Sequence, residues 1–296
     1  MATTTETSIR PSSNVLRDVI ALTKPRITLM VVITAAGGMW LAPNAIDLPR
    51  AILMLLTTAA VVGAANALNC WLERDSDRLM ARTMKRPLPD GRLEPKIALW
   101  LGIVLGLASI PLLTFGVNAL TGLLGAIALV SYVAIYTPMK RASSVALLVG
   151  AVPGALPPLM GWTAATGSLD APGLALFAIL FFWQIPHFLA IALFRQEDYD
   201  RAGLKTLPSE RSPEVAKRQA VLYTGLLVVS SMLLYVYRVA GPLYLASAIL
   251  LGVLFFAASL ANLKPGIAPA RKLFVVSLVY LTLLFVALGV DTAIRA

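Results

Sequence analysis

The sequence predicts an all-α, polytopic membrane protein of about nine transmembrane helices, and three observations predict it. Of its 296 residues, 58% are hydrophobic and 14% are charged, where a soluble domain carries about 25% charged residues. Long apolar runs recur from Ile27 to Val290, with no polar block between them large enough to fold alone. The charged residues are also sorted between alternate loops. The mean hydropathy of +0.80 agrees with this reading.

A helix needs about 20 apolar residues to cross the hydrocarbon core. On that measure the spans fall at 27–45, 51–72, 97–115, 118–136, 144–163, 172–194, 218–238, 242–261 and 273–291. The polar stretch ahead of them contains Glu6 and Asp18 and lacks the apolar core of a secretory signal. It is expected to be a cytoplasmic N-terminal segment (1–24) before a single transmembrane domain (25–296). Spans 3 and 4 are parted only by a turn at Gly116 to Asn118, and spans 7 and 8 only by Gly241-Pro242.

With nine spans, the N-terminus and the loops after spans 2, 4, 6 and 8 share one side. That side holds 22 of the 25 basic residues, leaving Arg50, Arg238 and Arg295 opposite. Excess Lys and Arg mark the cytoplasmic face, so the N-terminus is expected inside and the C-terminus outside a bacterial cytoplasmic membrane. Topology therefore accounts for the net charge of +10, and the expected partner is the lipid bilayer, with no nucleic acid. The single cysteine, Cys70, excludes an intramolecular disulfide and a Cys-only metal site; it reads as a packed thiol.

Topology does not explain the acids. Twelve of the 15 lie on the basic side, clustered as Glu73, Asp75 and Asp77 after span 2 and as Glu197, Asp198 and Asp200 after span 6. Asn69, Glu73 and Asp77 are four apart, so in a helix their oxygens line one stripe, while Asp75 points away toward a neighbouring Arg. Such a stripe suits Mg²⁺, a hard cation often shared with substrate phosphates, and Arg82 and Arg86 beyond it match phosphate oxygens. The plainer reading is a solvated helix end with charges paired i to i+4. Against it, Asn69 sits in apolar surroundings, where an unpartnered amide is costly.

The remaining polar residues leave alternatives open. Gln184 and His187, three apart in span 6, share a face beside Pro186, which is expected to kink the helix. His187, the only histidine, is either a structural core residue or a substrate-facing or catalytic one. Tyr132, Tyr136 and Lys140 fall on one stripe if the helix survives Pro138. They form either a phosphate-binding cation under aromatic walls or an interfacial tyrosine belt with snorkelling bases. Lys24-Pro25-Arg26 is open in the same way, and spacing alone favours an anchor over a catalytic group. The Gly-Pro-rich stretch from Gly150 to Pro158 predicts a break in span 5 that lines a pocket.

Asn69-x-x-x-Glu73-x-x-x-Asp77 followed by Arg82-Thr83-x-x-Arg86-Pro87 resembles the first motif of the UbiA-type intramembrane prenyltransferases. Leu22-Thr-Lys-Pro-Arg-Ile27, Tyr136-Thr-Pro-Met-Lys-Arg141, Trp183-Gln-Ile-Pro-His-Phe188 and Asp198-Tyr-Asp-Arg-Ala-Gly203 resemble the heme-farnesylating branch of that family. The resemblance implies a nine-helix bundle with a central cavity. It implies transfer of farnesyl from farnesyl diphosphate to a vinyl group of heme B, with water added. It assigns Mg²⁺ and the diphosphate to Asn69, Glu73, Asp77 and Asp198, and phosphate contacts to Arg82, Arg86, Lys140 and Arg141. Heme A synthase or oxidase assembly factors would be partners in the same membrane.

Relatives with aromatic acceptors carry acids where this chain has Phe194 and near His187. The departure implies a large apolar acceptor, oriented by His187. The rival within the family is an enzyme with an aromatic or chlorophyllide acceptor. A secondary transporter is the rival of another class, but its ionisable residues would sit near midplane on broken helices.

Overall fold

The computed structural model describes residues 14–295. Eight of its helices are long and apolar enough to cross a membrane, and nine spans result if one bent pair counts as a span. The bent pair is α1 (Val15–Leu22) and α2 (Pro25–Leu41), which meet at 44°. The others are α3 (Leu48–Asp77), α4 (Pro95–Gly116), α5 (Ala119–Val130), α7 (Ala146–Thr166), α8 (Ala171–Phe194), α11 (Pro213–Val236), α12 (Pro242–Ala261) and α13 (Ala268–Arg295). A π-helical turn, Ser131–Tyr136, extends α5 into the three-residue α6 (Thr137–Met139). Short helices α9 (Gln196–Arg201) and α10 (Leu207–Glu210) follow α8.

Proline and short polar side chains fix where the helices begin. Pro25, Pro95, Pro213 and Pro242 stand in first turns, where a missing N–H loses nothing. Asp47, Asn118, Asp170 and Ser212 accept from backbone N–H groups of the turns they precede. Bonds between loops sort the helix ends into two sets. On one end Arg92 meets Asp18, Lys205 N donates to the Lys140 carbonyl, Glu210 accepts from Ser144 N, and Lys217 donates to the Lys264 carbonyl. On the other, Asn118 donates to the Thr163 carbonyl, and Asp291 accepts from Gly241 and Tyr244 N–H groups to cap α12.

Two apolar clusters form the core. One joins α7, α8, α11, α12 and α13 with the end of α2; the other joins α2, α3, α4, α5 and α7. Helix α7 belongs to both. Its glycines and prolines do not break it: it runs unbroken across Pro153, Pro157 and Pro158. This corrects the expected break. The small residues instead allow close approach, for a Cβ on Gly161 would overlap the Ala35 carbonyl of α2. Helix α8 is likewise continuous through Pro186.

Candidate active site

The site begins in the last turns of α3. Asn69, Glu73 and Asp77 share one face there and are 2%, 8% and 1% exposed. Buried charge must be paired, and a different segment supplies each partner. Lys24 Nζ donates to Asn69 Oδ1 at 3.0 Å, Lys140 Nζ to Glu73 Oε1 at 2.8 Å, and Arg86 Nη1 to Asp77 Oδ2 at 2.7 Å. Asn69 Nδ2 in turn donates to Thr137 Oγ1 at 3.3 Å. Asp77 Oδ1 is buried and has no hydrogen-bond partner among the described residues. Asp75 is exposed beside Arg74, as the helical spacing requires.

Local backbone chemistry aims each cation. Pro25 disfavours a right-handed helical Lys24. Lys24 takes the left-handed conformation, φ +49°, which for a lysine costs on the order of 1 kcal/mol or more. The turn bends α1 from α2 and lets the ammonium reach Asn69. Of the two readings of Lys24, the bond to Asn69 favours a place at the site. Arg86 returns to Asp77 because Thr83 Oγ1 bonds the Asp77 carbonyl at 2.8 Å, folding the chain back at the end of α3.

The π turn places Lys140. Its wider ring brings the Thr137 N–H and hydroxyl onto the Tyr132 carbonyl, and such turns occur often at functional sites. The rings of Tyr132 and Tyr136 lie 5.2 Å apart, with the Lys140 ammonium 4.4 Å from the Tyr136 centroid. The expected stripe therefore survives Pro138. Burial alone would lower the Lys140 pKa, but Tyr136 and Glu73 beside it hold it above its ordinary value.

The second acidic segment, α9, closes on the loop after α3. The Arg82 guanidinium lies 5.7 Å from the Tyr199 ring, and Tyr199 packs with Met80, Ala202 and Leu204. Burial raises the Tyr199 hydroxyl above its usual pKa. Asp198 is mostly buried and pairs with Arg195 at 3.4 Å. Arg141 is exposed and its side chain makes no hydrogen bond or ion pair among the described residues. Among those residues, no three His, Cys, Asp or Glu side chains are grouped as a metal site. The stripe offers hard oxygens alone, with the unpartnered Asp77 Oδ1 among them, a donor set that fits Mg²⁺.

His187 faces a different wall. Its Nδ1 lies 2.8 Å from Ser277 Oγ of α13, and its ring stacks on Trp183 and tilts against Phe274, both 4.8 Å away. Phe274 also meets Phe194 edge-on at 5.7 Å. Gln184 turns instead to the Ala151 carbonyl of α7 and its own Leu180 carbonyl, so the expected shared surface of Gln184 and His187 divides between two neighbouring helices. Sequence reasoning named Lys24 without placing it beside Asn69 and gave Thr137 no role; the signal for both was the buried Asn69, whose amide needs a donor and an acceptor nearby.

The model of the UbiA prenyltransferase family matches residues 31–281. A protoheme IX farnesyltransferase of Myxococcus xanthus (strain DK1622) is 53% identical over 283 residues, covering 95% of this chain and 96% of that protein. Among solved structures, a digeranylgeranylglyceryl phosphate synthase superposes with a TM-score of 0.81 at 19% identity, covering 93% of this chain and 98% of the other. A UbiA homolog from Archaeoglobus fulgidus bound to GPP and Mg²⁺ superposes with a TM-score of 0.66 at 20% identity, covering 92% and 99%.

Proposed function

The chain belongs to the UbiA prenyltransferase family, and from that premise we propose that it transfers the farnesyl group of farnesyl diphosphate to a vinyl group of heme B (protoheme IX), with addition of water, giving heme O. The observation that carries this reading is the buried stripe of Asn69, Glu73 and Asp77, each held by a cation from a different segment. The 53% identity to a protoheme IX farnesyltransferase favours heme over an aromatic or chlorophyllide acceptor. The rings around His187 and Phe194, which stand where acids would serve the rival, favour it too.

In this reading Asn69, Glu73, Asp77 and Asp198 hold Mg²⁺ with the diphosphate. Bound there, the ion supplies Lewis-acid stabilisation of phosphate oxygens. Lys24, Arg86 and Lys140 exchange part of their pairing with the stripe for the diphosphate, and Arg82 and Arg141 add outer phosphate contacts. As the allylic C–O bond breaks, its electron pair leaves on the diphosphate. Preorganised cations stabilise that growing charge. The vinyl π pair forms the new carbon–carbon bond, and water captures the cation left beside the porphyrin ring and loses a proton. Tyr132 and Tyr136 wall the site, keeping water from the farnesyl carbon until the vinyl group arrives. His187, hydrogen-bonded to Ser277, orients the macrocycle.

The protein is a multi-pass membrane protein. The charge asymmetry supports a bacterial cytoplasmic membrane, with residues 1–24 and the site on the cytoplasmic side and the C-terminus outside. The test is purified protein in detergent with heme B, farnesyl diphosphate and Mg²⁺. A heavier, more hydrophobic heme is expected by mass spectrometry, and it should vanish with EDTA and return with Mg²⁺. Product from an aromatic acid but none from heme would transfer the assignment to the sister enzyme.

A further inference from the structure

Helix α1 and the loop between α3 and α4 enclose a polar cavity of about 520 Å³ that the reaction above leaves unused. Its floor is a small apolar cluster containing Leu22, Cys70 and Leu88. Arg92 clamps its walls together, donating Nε and Nη2 to the buried Asp18 at 2.9 and 3.1 Å. Arg17, Lys24, Lys85, Arg86 and Arg92 line it against the single carboxylate of Asp18. Arg92 already engages that carboxylate, and neither Arg17 nor Lys85 forms an ion pair among the described residues.

Two of these cations serve both places. Lys24 and Arg86 line this cavity while their terminal nitrogens reach Asn69 and Asp77. The cavity and the stripe therefore share a wall made of two long, flexible side chains. We infer that the cavity is a second anion site, which receives the released diphosphate and passes it to water. The inference rests on the reading of the stripe as the diphosphate site.

The chemistry calls for a polar exit, and this cavity adjoins the stripe. The donor substrate arrives with a lipid-soluble tail, but the leaving group is a bare, multiply charged anion that cannot depart through hydrocarbon. Arg86 and Arg92 are paired with Asp77, Asp18 and Asp90, while Arg17, Lys24 and Lys85 form no ion pair among the described residues, and three such cations suit an anion of more than one charge. Long-range attraction would draw it from the stripe past Lys24 and Arg86. A phospholipid headgroup shares the phosphate chemistry, and the test must separate the two sources.

Full-length protein in phospholipid-free detergent is first saturated with farnesyl thiodiphosphate, an unreactive donor analogue, to fill the stripe. Calorimetric titration with inorganic pyrophosphate should then show one further anion bound per chain. The double variant Arg17→Ala/Lys85→Ala should weaken that binding at least tenfold, with the KM for farnesyl diphosphate and for heme unchanged. Lys85→Ala alone, with its unfolding temperature checked, guards against a misfolded double variant and should weaken it several-fold. Absence of the second binding event, or equal affinity in the variants, overturns the inference. A raised heme KM would give the cavity to the acceptor's carboxylates and overturn it also. In bilayer discs with and without phosphatidylglycerol, equal pyrophosphate affinity is expected; loss of binding in the anionic lipid would assign the cavity to a headgroup instead. Continued conversion of heme by the same preparation would show that this inference alone had failed, whereas no conversion would sink the enzyme assignment itself.

Discussion

Two walls of the bundle solve the burial of polar groups in opposite ways. The end of α3 buries an amide and two carboxylates, each accepting from a cation, Lys24, Lys140 or Arg86, with the Thr137 hydroxyl as a neutral partner of the amide. The α8–α13 wall buries a histidine, and its partners are a neutral hydroxyl and stacked rings. Hydrogen bonds to charged groups contribute about 1.5–3 kcal/mol, and neutral ones about 0.5–1.5. The first wall is therefore suited to holding and releasing a charged head. The second is suited to a broad apolar ring system.

The most severe way to break this contrast is to neutralise the first wall. Glu73→Gln and Asp77→Asn should each lower kcat/KM by about 10²–10³-fold, the scale of losing one preorganised charge-stabilising group. Membrane insertion and purification yield should persist. Near-normal conversion of heme by both variants would remove the pair from the proposed diphosphate site. A smaller loss is expected from Lys140→Met, about 10–100-fold in kcat/KM for farnesyl diphosphate, the equivalent of one charge-assisted hydrogen bond. Lys140→Arg should recover part of it. Since removing one partner of a buried pair leaves Glu73 uncompensated, thermal unfolding should be followed in parallel. The smallest effect belongs to the second wall. Ser277→Ala should alter activity by less than about tenfold, a neutral hydrogen bond's worth, and His187→Phe should raise the KM for heme while leaving that for farnesyl diphosphate in place. A shift confined to farnesyl diphosphate would contradict the division of labour between the walls.

The bundle was largely legible in the sequence because lipid imposes a length and a composition on each span, and because Pro, Asn, Asp and Ser mark the helix starts. The stripe of Asn69, Glu73 and Asp77 was legible because helical periodicity alone brings residues four apart to one face. Periodicity says nothing where it ends. Lys24 was visible but its place beside Asn69 was not, because its reach depends on a left-handed residue between two helices, which spacing does not encode. The Gly-Pro-rich α7 misled because the same residues that break a lone helix let packed helices approach closely. Gln184 and His187 seemed to look at one surface, yet they sit at the border between α7 and α13, where 60° of rotation changes the neighbour. The work of Asp291 as the cap of α12 is tertiary and left no local trace.

The π turn at Ser131–Tyr136 has a consequence for how such a site tolerates insertion and deletion. It amounts to one residue added to an otherwise regular rod. Deleting a single residue there would let the segment relax to ordinary α geometry with everything C-terminal kept in place, whereas straightening the turn with all its residues would swing everything C-terminal by about 100° and push it on by about 1.5 Å. Thr137 would lose Asn69, and Lys140 would leave Glu73 for the lipid boundary. The wider ring of a single turn in the middle of a hydrophobic run thus holds the difference between a helix that crosses a membrane and one that also presents a cation to a substrate.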